Sequence, residues 1–104
     1  MAHKANKVVI ITEKLILEKV TQLIEANGGK GYTVVAAGGK GGRSTHPTGR
    51  ATVVDAFGNV KIEVITARRD TANRIADEVA RAFFGDYSGI TYFEEVEVLR
   101  PEKF

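Results

Sequence analysis

Val60-Lys61-Ile62-Glu63-Val64-Ile65-Thr66 alternates apolar and charged residues before closing on an apolar pair and a threonine. A period of two predicts a strand with one packed face and one face left partly open at Lys61 and Glu63. Downstream, Ala72, Ile75, Ala76, Val79, Ala82 and Phe83 recur at helical spacing, so residues 70–84 read as a helix that Gly85 ends and Asp70 caps. Asp86-Tyr87-Ser88-Gly89 reads as a turn. The last strand occupies 90–99, with a kink expected near 93–95 where the alternation slips, and 100–104 form a short tail.

Upstream, 51–58 is ambiguous: Thr52-Val53-Val54 and Phe57 suit a strand, whereas Asp55 and Gly58-Asn59 suit a turn. Before it lies Gly38-Gly39-Lys40-Gly41-Gly42-Arg43-Ser44-Thr45-His46-Pro47-Thr48-Gly49-Arg50, rich in glycine and positive charge and free of acids. It reads as a long mobile loop whose amides and cations suit an anion, because glycine permits the φ/ψ pairs that aim successive N–H groups the same way. Tyr32-Thr33-Val34-Val35-Ala36-Ala37 precedes it as a strand. Residues 13–27 read as a helix on the stripe Ile16, Val20, Leu23 and Ile24, with Glu13 in its first turn and Asn27-Gly28-Gly29 as its stop. Lys7-Val8-Val9-Ile10-Ile11-Thr12 reads as a central strand covered on both faces, and 1–6 as a frayed polar start.

The order is therefore βαββαβ, an α+β ferredoxin-like sandwich with a long loop between strands 2 and 3, in a single domain over 1–104. Two helices cover one face of one sheet. The other face must meet solvent or another chain, and fully apolar strands favour another chain.

Composition narrows the function classes. The 104 residues include 43% apolar and 27% charged side chains, ordinary values for a globular chain, with a net charge of +2. That charge is too small for a general nucleic-acid binder, so no nucleic-acid partner is expected. There is no cysteine, which excludes disulfides, thiolate catalysis and thiolate-held iron–sulfur centres within this chain. No apolar run approaches the roughly twenty residues of a membrane span, and the start lacks an apolar signal segment, so a cytoplasmic location is expected.

The glycine-rich stretch is neither a Walker A loop, since Lys40 is followed by Gly41, nor a dinucleotide fingerprint, since no helix follows it. Lys40, Arg43 and Arg50 can neutralise phosphate, the two arginines with bidentate geometry. His46-Pro47 reads as a loop feature, and with His3 far off in sequence no metal site is expected. Asp77-Glu78 on a helix and Glu94, Glu95 and Glu97 on the last strand form no paired acid–base site, so no catalytic residue is expected. Tyr87, Tyr92 and Phe93 read as core or interface, and Lys30-Gly31-Tyr32-Thr33-Val34 only loosely imitates the consensus of RNA-binding ferredoxin-like domains.

Taken together, Lys30-Gly31-Tyr32-Thr33-Val34, Gly38-Gly39-Lys40-Gly41-Gly42-Arg43, the strand 60–66 and Asp86-Tyr87-Ser88-Gly89-Ile90 resemble the PII-like signalling proteins. The resemblance spans nearly the whole chain. It is nearest to the branch that regulates bicarbonate transporters or is associated with carboxysomes. It implies a homotrimer, with adenine nucleotides in clefts between subunits and the long loop acting as a ligand-responsive T-loop. Carried over by position, Thr33 and Gly39, Lys40, Gly41, Gly42 and Arg43 would line the nucleotide site from one subunit. Ile65 and Thr66 would hold the adenine. Ser88, Gly89 and Ile90 correspond to the B-loop that approaches the phosphates across the interface, and Arg100 lies near a phosphate-contacting basic position. His46 and Arg50 would contact a partner or anion.

Departures from the family pattern shape the ligand. Residues 88–90 lack the Gly-Lys pair with which classical PII proteins meet the outer phosphates, so AMP, ADP or cyclic AMP is expected rather than paired ATP and 2-oxoglutarate sensing. The loop has no tyrosine for uridylylation, and the chain carries no cysteine-bearing tail. The resemblance thus implies a non-enzymatic adenine-nucleotide sensor with no cofactor, bicarbonate as a further ligand, and a membrane bicarbonate transporter or carboxysome-related protein as its target. Through such a transporter it would lie peripherally at the membrane. The competing readings are a slow nucleotide phosphohydrolase and a ferredoxin-like metal- or RNA-binding module.

Overall fold

The computed structural model describes residues 2–38 and 58–100. Strand β1 (His3–Glu13) runs through a 3₁₀ turn (Lys14–Ile16) into helix α1 (Leu17–Ala26). Then come β2 (Tyr32–Ala37), β3 (Asn59–Thr66), α2 (Arg69–Phe83) and β4 (Gly89–Val98). The four strands form one antiparallel sheet in the order β2-β3-β1-β4. This is the expected βαββαβ topology, with the long connection leaving β2 and returning into β3. The reading of 51–57 as strand or turn lies outside the described residues.

One face of the sheet carries both helices. Val8 and Ile10 of β1, with Val60, Ile62 and Val64 of β3, pack against Ile16, Val20 and Ile24 on one side and Ala72, Ile75, Ala76 and Val79 on the other. Most of these side chains are completely buried. At roughly 1.5–3 kcal/mol for each large apolar side chain removed from water, this layer is the main favourable contribution to folding.

Four expectations are corrected, three of them at the chain's start and along α2 and β4. Residues 3–6 are not frayed: β1 begins at His3, because β4 continues far enough to pair His3 with Val98 and Ala5 with Val96. The last strand has no slip at the expected kink, since its register against β1 runs continuously from His3↔Val98 to Thr12↔Gly89. The charges of Glu94 and Glu95 break the alternation because β4 is an edge strand. Glu94 pairs with Lys7 on one face, and Glu95 reaches Lys4 at the margin of the other. Asp70 does not cap α2. The residue before the helix is Arg68, and Asp70 in the first turn accepts its guanidinium at 3.2 Å.

Helix α1 also starts later than its spacing suggests. Glu13 is the last residue of β1, and the first-turn acid is Glu18. Its end is as expected: Gly28 takes φ 97°, a left-handed conformation that glycine adopts without strain. The Gly29 N–H then donates to the Ile24 carbonyl at 2.9 Å. Gly29 is buried, and a Cβ there would lie 2.5 Å from Ile24 Cγ2 and 3.3 Å from Val64 Cγ1. Gly29→Ala should therefore destabilise the fold by about 1–3 kcal/mol through overpacking between α1 and β3. Urea unfolding measures this, and an unchanged midpoint would refute the close approach.

Candidate functional site

At the end of β1, three consecutive residues reach across to two connections. Thr12 Oγ1 donates to the Ser88 carbonyl at 2.7 Å, and the Ser88 N–H donates to Glu13 Oε2 at 2.7 Å. The Lys14 N–H donates to the Gly58 carbonyl at 2.8 Å. The turn before β4 and the residue leading into β3 are thus both fastened to one short segment. Gly89 follows, paired with Thr12, and its missing side chain leaves room for the Phe84 ring, whose nearest atom would be 2.2 Å from a Cβ. Ile90 is 57% exposed. Gly38, the last described residue after β2, lies at this same end of the sheet, because Ala37 pairs with Asn59 at the start of β3.

Ile65, Thr66 and Arg100 lie at the opposite end, and Thr33 lies midway, in the row of Glu63 and Val9. Thr66 pairs with Asn6 and Ile65 with Lys7, whereas Gly89 pairs with Thr12. Six positions of β1 separate the Asn6 and Thr12 rows, about 20 Å at ~3.4 Å per residue. Thr33 sits on exposed β2 opposite Glu63, four positions before Ala37. Thr66 is buried, and its hydroxyl donates to the Arg68 carbonyl at 2.9 Å, fixing the turn into α2. Arg100 is exposed beyond the end of β4. One chain therefore brings Ser88, Gly89 and Ile90 to the end of the sheet where the long connection departs, and carries Ile65 and Thr66 to the other, with Thr33 between them. Gly39, Lys40, Gly41, Gly42, Arg43, His46 and Arg50 lie outside the described residues.

The face turned away from the helices joins these two ends. Its middle is ionic: the Lys7 ammonium lies 3.2 Å from Glu94 and 3.6 Å from Glu63, and Lys61 reaches Glu63 at 3.5 Å. Around this network stand Tyr92, 37% exposed, Val35, 50% exposed, and Ile90. Val9, on the same face, is fully covered between its cross-strand partners Glu63 and Tyr92. The hydrogen bond to Glu94, aided by the charge of Glu63, holds the Lys7 pKa above its usual value against an opposing desolvation effect.

Among the described residues, no group of three or more His, Cys, Asp or Glu is placed to hold a metal, and no helix is long and apolar enough to cross a membrane. A cleft of 470 Å³ bounded by Lys14, Leu15, Leu17, Glu18, Tyr32 and Val34 contains none of the candidate residues. Sequence reasoning missed Glu13. The acid was visible after the apolar run, but helical spacing placed it in a first turn, and only the long-range approach of Ser88 reveals its partner.

Comparison with known proteins places these features in context. The family profile described as "Nitrogen regulatory protein P-II" matches residues 5–103. A protein from Thermus thermophilus described as PII-like and signalling is 30% identical, superposes with a TM-score of 0.80, and is matched over 99% of this chain and 97% of that one. CPII from Thiomonas intermedia, in a structure bound to ADP and bicarbonate, is 27% identical with a TM-score of 0.75, over 100% and 97% of the two chains. A CPII structure bound to ADP, AMP and acetate matches at 25% identity, with the same TM-score and the same coverage.

The Lys7 network gives a pH-dependent prediction. A raised lysine pKa means that the folded state favours the charged form. Its contribution is complete below the ordinary lysine value near 10.5 and is lost as pH rises through the raised folded-state value. Lys7→Gln should lower stability by up to about 1 kcal/mol at pH 8, the scale of partly exposed ion pairs. The difference from the wild type should shrink as pH rises through that raised value. Denaturant unfolding at pH 8 and across that rise checks this, and a difference that does not change with pH would refute it.

Proposed function

Starting from a chain that belongs to the nitrogen regulatory protein P-II family, and within it resembles CPII, we propose that it is an adenine-nucleotide-responsive signalling protein. It acts as a single PII-like domain that assembles as a homotrimer, and its ligand is ADP or AMP with bicarbonate alongside. The observation that carries this reading is the division of the candidate residues between two ends of one sheet. With about 20 Å between the two rows, Ser88, Gly89 and Ile90 reach the same small ligand as the Ile65-Thr66 end of the sheet only when two subunits meet head to tail.

In this arrangement the Ser88-Gly89 backbone and the basic segment Gly39, Lys40, Gly41, Gly42 and Arg43 supply donors and cations for the phosphates. Ile65 and Thr33 of the neighbouring subunit bound the adenine, buried Thr66 holds the turn behind them, and Arg100 adds charge from that side. The partly apolar open face, with Val35, Ile90 and Tyr92, becomes the inner surface of the trimer. Such burial explains why apolar residues and a compact ionic network share a face that a lone chain would leave wet. Ligand occupancy would then alter the affinity of the segment carrying His46 and Arg50 for a target in inorganic-carbon uptake, a membrane transporter or a carboxysome-related protein. The protein would be cytoplasmic, meeting the membrane only through that transporter.

Calorimetry with AMP, ADP, ATP and cyclic AMP, with and without bicarbonate, tests the ligand. ADP or AMP should bind and bicarbonate should tighten one of them, while Arg43→Ala should weaken the binding about tenfold or more, as expected for loss of a charged hydrogen bond. Binding of no nucleotide would sink the proposal. For the assembly, Tyr92→Asp places a charge beside Glu94 on the open face and should shift sedimentation from trimer toward monomer with the helical spectrum intact. A variant that still sediments as a trimer would remove this face from the interface.

A further inference from the structure

The geometry points to Glu13 as a positioning residue that sets the phosphate selectivity of the nucleotide site, an inference that rests on the function proposed above. Ser88 is held at both of its backbone polar groups by consecutive residues of β1: its carbonyl by the Thr12 hydroxyl and its N–H by the Glu13 carboxylate, each at 2.7 Å. Side chains of successive strand residues project to opposite faces. Thr12 lies in the row of Val60 and Gly89, and Glu13 opposite Asn59 on the other face. The two tethers therefore grip Ser88 from the two sides of the sheet. The two tethers restrain the residue at both of its backbone polar groups.

That restraint orients the next amide. No described peptide bond is cis, and a trans peptide is planar, so the Gly89 N–H points away from the direction in which the Ser88 carbonyl meets Thr12. Gly89 begins an edge strand, where such an amide can be presented to an anion without a competing strand. Glycine at this position brings the backbone close to a ligand without a side chain in between.

Glu13 is only 6% exposed, and an ionised carboxylate is costly to bury unless strong hydrogen bonds satisfy it. The short bond from Ser88 N–H is of that charge-assisted kind. A carboxylate beside a phosphate site would ordinarily oppose the ligand. Here it is turned to a backbone donor, and it acts on the phosphates through the backbone rather than by contact.

The experiment compares ADP with adenosine, which lacks the phosphates, on the full chain. Glu13→Ala should weaken ADP about tenfold, the usual effect of losing a hydrogen bond to a charged group, and leave adenosine unchanged. Glu13→Gln, which keeps an acceptor for Ser88 N–H, should recover most of the ADP affinity. Thr12→Val removes the other tether at nearly constant shape and should reproduce the selective loss, which keeps the test decisive if alanine at position 13 prevents folding. Amide exchange at Ser88 in the ligand-free protein should quicken in both tether variants. Wild-type ADP affinity in Thr12→Val and Glu13→Ala, or an equal loss of ADP and adenosine, would overturn the positioning role alone. A wild-type protein that binds no nucleotide would overturn the proposed function and this role together.

Discussion

Backbone pairing of β1 on both of its edges is the constraint from which the other elements take their places. Its register with β3 runs from Asn6↔Thr66 to Glu13↔Asn59, and its register with β4 from His3↔Val98 to Thr12↔Gly89. A slip of one residue would turn Val8 and Ile10 away from the helices and bring Val9 and Lys7 inward. The burial of Val8 and Ile10 against α1 and α2 therefore specifies the register. The register in turn decides which loops share an end of the sheet, so core packing and the assembly of the candidate site are one decision.

The open face shows how such a sheet can associate selectively. Lys7 between Glu63 and Glu94, with Lys61 nearby, places charges of both signs where an all-apolar surface would associate without direction. Partly exposed ion pairs add little stability. Their value lies in geometry, because a partner that buries them must leave each charge matched or incur a desolvation cost. The apolar residues around them supply the area for association.

Much of the fold was legible in local pattern. The alternation of 60–66, the stripe Ala72, Ile75, Ala76 and Val79 and the Asn27-Gly28-Gly29 stop are properties of neighbouring residues, and each stands close to where the sequence places it. What failed was long-range. Residues 3–6 look like a frayed end until β4 is known to run beside them, and Glu13 looks like a first-turn acid until Ser88 is found at its carboxylate. Asp70 had the right chemistry for a cap, but the chain enters α2 one residue earlier. The resemblance supplied the candidate site only as a set of residues. Its division between two ends of the sheet was not legible, because strand register is fixed by contacts between segments far apart in the chain.

The pairing of His3 with Val98 also has a temporal side. During synthesis β1 leaves the ribosome before either of its neighbours, and its β4 ladder joins residues 77 to 95 positions apart, from Thr12↔Gly89 to His3↔Val98. Non-local pairing of this kind pays the entropy of closing a long loop before it gains contacts, and it is slow. The apolar run Val8-Val9-Ile10-Ile11 therefore waits without its full complement of strands until β4 has been made. For most of its time on the ribosome the chain carries an incomplete sheet, and the interval before β4 joins β1 is when the chain is most open to wrong partners.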